Sequence, residues 1–170
     1  NKPTGPTSFD VIRRIRKVLK ISRIGHAGTL DPLASGLMVV LLGRYTKFAG
    51  YLTEQSKVYE AIFTLGIITT TDDGEGEVVK TCDVSHISEC HVRDALARFV
   101  GPIMQVPPRF SAIRVNGERS YAKARASEEF TLDARPVEIF ELSIQKFAFP
   151  HVHVRINCSK GTYVRALARD

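Results

Sequence analysis

One carboxylate, Asp31, lies inside the segment of this 170-residue chain that is richest in residues with special backbone geometry. The segment, residues 25–36, reads Gly-His-Ala-Gly-Thr-Leu-Asp-Pro-Leu-Ala-Ser-Gly. Pro32 fixes its own φ and disfavours helical geometry at Asp31, which predicts a tight loop. A carboxylate held in such a loop can act as a nucleophile or a base, although Asp-Pro alone is more often a plain turn. The loop lacks the terminal Gly-Lys-Ser/Thr of a phosphate-binding P-loop.

A second candidate segment, residues 160–165, contains Tyr163 and Arg165 two positions apart. The segment joins a predicted strand to a predicted helix. It either presents an aromatic ring and a guanidinium at the edge of a pocket or forms a simple turn with a buried tyrosine. These residues alone leave both interpretations open.

Four residues have the side-chain types of a metal site: Cys82, His86, Cys90 and His91. Their Cys-x3-His-x3-Cys-His spacing matches no common zinc pattern closely. With Cys158 the chain has three cysteines, an odd number at irregular positions. This pattern does not indicate a disulfide framework and is typical of a reducing cytosol.

The net charge of +6 is concentrated at the start of the chain. Residues 1–30 contain seven lysines and arginines against Asp10 alone, which gives +6, and the other 140 residues contain 17 basic and 17 acidic side chains. A local basic patch indicates a polyanionic partner more strongly than a diffuse excess would.

Most of these basic residues lie on a predicted helix over residues 8–20. Thr7 and Asp10 have the spacing of a capping box. An apolar stripe of Ile12, Ile15 and Leu19 would face the core. A basic stripe on another face is either a solvated surface or a set of phosphate contacts; its members are Arg13, Arg16, Lys17 and Lys20.

The remaining pattern mixes strands and helices without a regular repeat. Strands are predicted over 37–42, 57–65, 137–149 and 152–158, and helices after Ser88, over 118–127 and from 161 onward. Asn116-Gly117 predicts a hairpin turn, and residues 69–76 a solvated acidic loop. No apolar run approaches the length of a membrane helix. The predicted class is α+β, with a mixed, mostly antiparallel sheet flanked by helices.

Five segments together resemble the TruB family of pseudouridine synthases. They are Lys-Pro-Thr-Gly-Pro-Thr-Ser at 2–8, the loop at 25–36 with Leu37, Lys-Val-Tyr-Glu-Ala at 57–61, residues 106–112 with 116–121, and residues 160–170. They occur in the family's order and span nearly the whole chain. Ser127-Glu128 stands where the family usually has a glycine in its RNA-contacting insertion.

The resemblance implies the pseudouridine synthase fold and isomerisation of uridine to pseudouridine in the T-loop of tRNA, at position 55. The expected domain is a catalytic domain over 1–170, truncated at both ends, with the C-terminal PUA-type domain absent from this chain. No cofactor or metal is implied, because the isomerisation involves no redox change and loses no group. The expected partner is the T-arm stem-loop of tRNA. A cytoplasmic monomer without a membrane or a required protein partner is expected.

The resemblance also assigns roles to individual residues. Asp31 would be the nucleophile, attacking the sugar C1′ or the uracil ring, and Arg165 would pair with it. Tyr59 and Tyr163 would pack on the flipped uracil. The remaining assignments are His26 in the space that the base vacates, Lys2 and Pro3 supporting the pocket, and phosphate contacts from Arg13, Arg16, Lys17 and Lys20.

Three rival functions predict different behaviour. A non-catalytic RNA-binding module would not need Asp31, Tyr59, Tyr163 and Arg165. A guide-RNA-dependent relative would need partner proteins, although Leu-Ala-Ser-Gly-Leu at 33–37 is more like the stand-alone bacterial enzyme. A metal-dependent nuclease would need a carboxylate cluster, and the acidic residues at 72–77 are predicted to be solvated.

Overall fold

A computed structural model describes all 170 residues and divides them into two compact units, residues 1–55 and residues 56–170. Each unit is built around different elements. None of the helices in either unit is long and apolar enough to cross a membrane.

The first unit begins with helix α1, Ser8–Leu19, whose start is fixed by the predicted capping box. Thr7 Oγ1 accepts from the backbone N–H of Asp10 at 3.1 Å, and the Asp10 carboxylate accepts from the backbone N–H of Thr7 at 3.1 Å. The hydrogen bonds from Thr7 lower the pKa of Asp10. Ile12 is buried, whereas Leu19 at the end of the apolar stripe is half exposed.

Two short strands of the first unit flank the loop that carries Asp31. Strand β1, Ile24–His26, pairs antiparallel with β2, Val40–Leu42. The predicted strand over 37–42 is therefore shorter than expected, and Leu37 is 83% exposed. A 3-10 helix, Gly43–Phe48, and helix α2, Ala49–Thr53, follow. Neither was predicted from the sequence.

The second unit is organised by a four-stranded antiparallel sheet in the order β3-β10-β9-β6. The strands are β3, Lys57–Thr64; β6, Gly101–Gln105; β9, Arg135–Ala148; and β10, His151–Cys158. The predicted alternation in β10 is confirmed, because Val152, Val154, Ile156 and Cys158 are all buried. Burial raises the pKa of the Cys158 thiol.

Helix α3, Glu89–Ala97, packs Val92 and Leu96 into the core beside this sheet. Ser88 caps it as predicted, and His91 Nδ1 accepts from the backbone N–H of Ser88 at 3.2 Å. His91 therefore has a capping role. Cys82 and Cys90 are exposed and form no disulfide.

Smaller elements complete the second unit. Hairpins are formed by β4, Ile67–Thr69, with β5, Val78–Thr81, and by β7, Arg114–Val115, with β8, Glu118–Arg119. Helices α4, Ser120–Arg125, and α5, Val164–Arg169, follow β8 and β10. The Asn116-Gly117 turn is confirmed, with positive φ at both residues. The predicted helix at 118–127 begins only at Ser120, because 118–119 pair with β7. These elements and the antiparallel sheet confirm the α+β class.

Ser127 follows α4 and has a backbone conformation that is unfavourable for serine. Its φ of +55° lies in the left-handed region that favours glycine, and its N–H donates to Ala124 O at 3.1 Å as at a helix C-terminus. We expect Ser127→Gly to raise the free energy of unfolding by about 0.5–1 kcal/mol, because a left-handed serine is strained. Urea denaturation measures this change. Ser85→Gly, in an exposed turn without positive φ, is the control, and equal effects of both substitutions would contradict the explanation.

Candidate active site

Residues 2–8 fasten the loop at 25–36 through its backbone. Lys2 and Gly36 exchange two backbone hydrogen bonds of 2.8 and 3.1 Å, and Gly5 N–H donates to Pro32 O at 2.9 Å. The two sequence segments that carried the resemblance at the start of the chain therefore form one structural element within the first unit.

The Lys2 side chain is the strongest of these attachments. It is fully buried, and its ammonium donates to Pro3 O at 3.0 Å, Pro32 O at 3.0 Å and Ala34 O at 2.7 Å. A buried ammonium is tolerated only when its donors are satisfied, and three carbonyls match its three donors. Lys2 thus joins the N-terminal residues to Pro32 and Ala34, in the turn that begins at Asp31.

The residue before Asp31 is held by Ser8, which is buried at the start of α1. Ser8 Oγ accepts from the backbone N–H of Leu30 at 2.9 Å and donates to Leu30 O at 3.0 Å. Asp31 O accepts from the N–H of Ala34 at 3.1 Å, which closes a turn over Pro32. The backbone is consequently fixed on both sides of a half-buried Asp31, as a reacting group requires.

His26 lies at the end of β1, where the loop begins. Its Nδ1 is 2.7 Å from Gly28 O. Since a carbonyl only accepts, Nδ1 is the protonated nitrogen in this arrangement. This bond fixes the orientation of the half-buried ring, as the proposed role of His26 beside the RNA would need.

In the second unit, Arg165 projects from the first turn of α5 and is held by backbone carbonyls. One terminal nitrogen donates to Thr71 O at 3.0 Å and the other to Phe110 O at 3.0 Å. The carboxylate of Asp73 lies 3.6 Å from Nη1. With only 12% of its side chain exposed, the guanidinium has a defined orientation.

These contacts correct the expectation of a solvated acidic loop for Asp72 and Asp73, whereas Glu75 and Glu77 are exposed as expected. The side chains of Asp72 and Asp73 are only 14% and 11% exposed, because they face arginines of α5. Asp73 was not predicted as a site residue. The only signal for it was the Thr-Thr-Thr-Asp-Asp-Gly run, whose side chains bond readily to nearby backbone.

The loop at 69–77 is ordered by its own hydrogen bonds. Asp73 Oδ1 accepts from Thr71 Oγ1 at 2.5 Å and from the N–H of Glu75 at 3.0 Å. At Gly76, a Cβ would lie 2.4 Å from Thr71 Oγ1 and 2.8 Å from the Thr71 backbone nitrogen. Only glycine fits there without moving Thr71, whose carbonyl accepts from Arg165.

The two tyrosines lie on different elements of the second unit. Tyr59 is half-buried on β3, opposite Ile156 of β10, and packs against the core. Tyr163 immediately precedes α5, and the buried amide of Gln105 bonds its backbone N–H at 2.8 Å and its carbonyl at 3.1 Å. Gln105 was also missed from the sequence, since one glutamine at a strand end carries no pattern.

The predicted basic residues of α1 are all exposed. Arg13 lies 3.5 Å from Asp10 and over the ring of Phe9, so part of its charge is compensated locally. The first unit contains nine basic and three acidic residues, which gives +6, while the second has 15 of each. The unit that carries Asp31 therefore holds all the excess positive charge.

Comparison with known sequences places these features in a family. Residues 16–164 match the TruB family pseudouridylate synthase (N terminal domain). The tRNA pseudouridine synthase B of Thermobifida fusca is 46% identical over 100% of this chain and 61% of its own length. The proteins of the same name from Clostridium kluyveri and Burkholderia pseudomallei are 45% and 48% identical over 100% of this chain and 58% and 56% of theirs. The chain thus spans less than two thirds of the length of these relatives.

Solved structures give the same result for the fold. A chain in the crystal structure of a Cbf5-Nop10-Gar1 complex matches with a TM-score of 0.71 and 27% identity, over 98% of this chain and 40% of that chain. A chain of an archaeal box H/ACA sRNP Nop10-Cbf5 complex matches with a TM-score of 0.67 and 25% identity, over 98% and 39%. The expected pseudouridine synthase fold is confirmed, and with the sequence match across most of its length the chain belongs to the TruB family of pseudouridylate synthases.

Proposed function

We propose that this chain is the catalytic domain of an enzyme that isomerises uridine to pseudouridine in tRNA, at position 55 of the T-loop. The observation that carries the proposal is the loop around Asp31, whose backbone is bonded on both sides of the carboxylate in a chain of this family. The relatives' shared name, tRNA pseudouridine synthase B, supports tRNA as the substrate.

The proposed reaction needs a nucleophile, and Asp31 can supply it. The N1–C1′ bond of uridine breaks, a C5–C1′ bond forms, N1 gains a proton and C5 loses one. An ionised Asp31 would act as the nucleophile, at C1′ or at the uracil ring, and would leave unchanged at the end. Because atoms and electrons balance within the substrate and solvent, the proposal includes no cofactor.

The other site residues would bind and orient the base. A base inside a folded loop must be flipped out before it can react, which costs a few kcal/mol. Tyr59 and Tyr163 would pack on the flipped uracil, and His26 would fill the space left in the RNA. Lys2 and Pro3 would hold the Asp31 loop, and the pairing of Arg165 with Asp31 stays a prediction.

A guide-dependent activity is the nearest alternative, because the structural neighbours come from complexes with Nop10. The proteins named tRNA pseudouridine synthase B are 45–48% identical to this chain, whereas the Cbf5 chains are 25–27% identical. The difference favours a stand-alone enzyme, which we expect to act as a monomer.

Release of tritium from C5-labelled uridine in a T-arm stem-loop tests the proposal directly, since the C5 proton leaves only when the new bond forms. We expect release by the full-length protein without added protein or guide RNA. Tight RNA binding without release would contradict the proposal and favour an RNA-binding module or a guide complex.

The basic face of α1 gives a separate prediction about RNA binding. We expect the triple substitution of Arg16, Lys17 and Lys20 by glutamine to raise KM with little change in kcat, because phosphate contacts add affinity without acting on the reacting atoms. The dependence of log Kd on log salt should weaken by about 0.7–0.9 per lost contact. Filter binding over a salt series measures this.

The matched control removes three exposed charges from the second unit, at Lys80, Arg93 and Lys146. Both triple variants lower the net charge equally. An equal change of the salt slope in both would show that only the overall charge matters and would contradict phosphate contacts by α1.

A further inference from the structure

Arg169 lies one helical turn after Arg165 on α5 and has no role in the proposed chemistry. Its Nη1 is 3.1 Å from Asp72 Oδ2, its Nε donates to Asp170 at 2.8 Å, and its Nη2 donates to Val106 O at 2.8 Å. Only 26% of the side chain is exposed, and the Asp72 side chain is 14% exposed. The pair between the last residue of α5 and the 69–77 loop is therefore mostly enclosed, although charged side chains are usually exposed.

The contacts of Arg169 run parallel to those of Arg165. Arg165 donates a hydrogen bond to Thr71 O in the 69–77 loop and forms an ion pair with Asp73. Arg169 donates to the Asp72 carboxylate in the same loop. Both arginines also bond carbonyls of the segment after β6, at Phe110 and Val106 respectively. The same two pieces of chain are therefore attached to α5 twice, one helical turn apart.

The backbone of the loop is bent to make this double attachment possible. Asp72 has a φ of +59°, in the left-handed region that an aspartate tolerates but does not prefer. With this backbone conformation, the side chains of Asp72 and Asp73 point in different directions. Asp72 faces Arg169, and Asp73 faces Arg165. Unfavourable backbone geometry is retained where the surrounding structure requires it.

Desolvation and attraction act in opposite directions on this ion pair. Burial raises the pKa of Asp72 in spite of the nearby Arg169 and Arg165, whereas the carboxylates of Asp170 and Asp72 raise the pKa of Arg169 in spite of its own desolvation. Enclosed pairs of this kind are weak evidence for stability and stronger evidence for a defined arrangement. Here the defined arrangement is that of α5 and the 69–77 loop around the Arg165 guanidinium.

We infer that Arg169 and Asp72 are positioning residues, which fix the Arg165 guanidinium by attaching α5 to the 69–77 loop. The effect on turnover rests on the proposed function, whereas the effect on Arg165 does not. Two measurements on the full-length protein test the two effects separately. The solvent exchange rate of the Arg165 Nε–H, measured by ¹⁵N NMR, reports on Arg165, and kcat and KM for tritium release report on turnover.

For Arg169→Gln we expect the Arg165 Nε–H to exchange at least about tenfold faster, and kcat to fall about tenfold with KM within twofold of the parent. A displacement of a catalytic group by about 1 Å costs up to about 100-fold, and Arg165 keeps its two carbonyl partners, so the smaller figure applies. Arg169→Lys can still pair with Asp72 and should restore part of both values.

Arg93→Gln is the matched control, because Arg93 forms a 2.5 Å pair with Glu89 on α3 that is exposed and has no link to Arg165. It should change neither value. Asp72→Asn keeps the shape of the loop and should shift both values in the same direction as Arg169→Gln, so that a misfolded Arg169 variant still leaves a test.

An unchanged Arg165 exchange rate in Arg169→Gln and Asp72→Asn would overturn the inference, whatever the activity. A rise in KM with constant kcat would also overturn it, because that result indicates a binding role. If the parent itself releases no tritium, the proposed function fails while the NMR result still decides whether Arg169 positions Arg165.

Discussion

Asp31→Asn in the full-length protein should reduce tritium release by at least about 10⁴-fold while RNA binding stays within a few fold of the parent. The amide has the shape of the carboxylate but is not a nucleophile. Loss of a nucleophile is among the largest effects that a single substitution produces, since the rest of the site cannot replace the covalent step.

The structure explains why this substitution should leave the loop intact. Backbone atoms on both sides of Asp31 hold the loop: Leu30 is bonded by Ser8, Pro32 by Gly5 and Lys2, and the Asp31 carbonyl by Ala34. None of these bonds uses the Asp31 side chain. The variant therefore tests the chemistry of the carboxylate separately from the shape of the loop.

Asp83→Asn is a suitable control, because Asp83 is exposed and its side chain accepts only from a nearby turn at Ser85. It should leave release and binding unchanged. A parallel loss of release and binding in Asp31→Asn would show that Asp31 supports RNA binding rather than covalent catalysis. Undiminished release would exclude Asp31 as the nucleophile.

Lys2→Met should lower the free energy of unfolding by about 3 kcal/mol. Methionine matches the length of lysine but donates no hydrogen bond, so the carbonyls of Pro3, Pro32 and Ala34 lose a buried donor. An unsatisfied buried polar group costs about 1–3 kcal/mol, and removal of the buried ammonium's own desolvation offsets part of the total. Release of tritium should fall as well, because two of the three carbonyls, those of Pro32 and Ala34, belong to the turn that begins at Asp31.

The change in stability is measured as a lower midpoint of urea denaturation at an unchanged m-value. Lys146→Met removes an exposed ammonium on β9 and should change the midpoint by less than about 0.5 kcal/mol. If the two lysine variants were equally stable, the three carbonyl contacts would not hold the loop. A normal kcat in a destabilised Lys2→Met would separate fold stability from the placement of Asp31.

Local features were predictable because they depend on residues close together in sequence. The capping box at Thr7, the helix cap at Ser88, the Asn116-Gly117 turn and the alternation of β10 each follow from side-chain chemistry or from strand periodicity over a few residues. The five segments that carry the resemblance were together sufficient to identify the family, since their residue types and order are read without any contact.

The attachments between distant segments were decided only by the tertiary structure. The resemblance implied that Lys2 supports the pocket, but no pattern indicates that its ammonium is buried on carbonyls 30 residues away. Nor does any pattern indicate that Asp72 and Asp73 leave solvent to meet arginines of α5 more than 90 residues later. Local patterns report each residue's own preference, and an acidic loop prefers water. Only the folded chain brings donors and acceptors close enough to outweigh that preference, so the contacts that hold the candidate site depend on the tertiary structure.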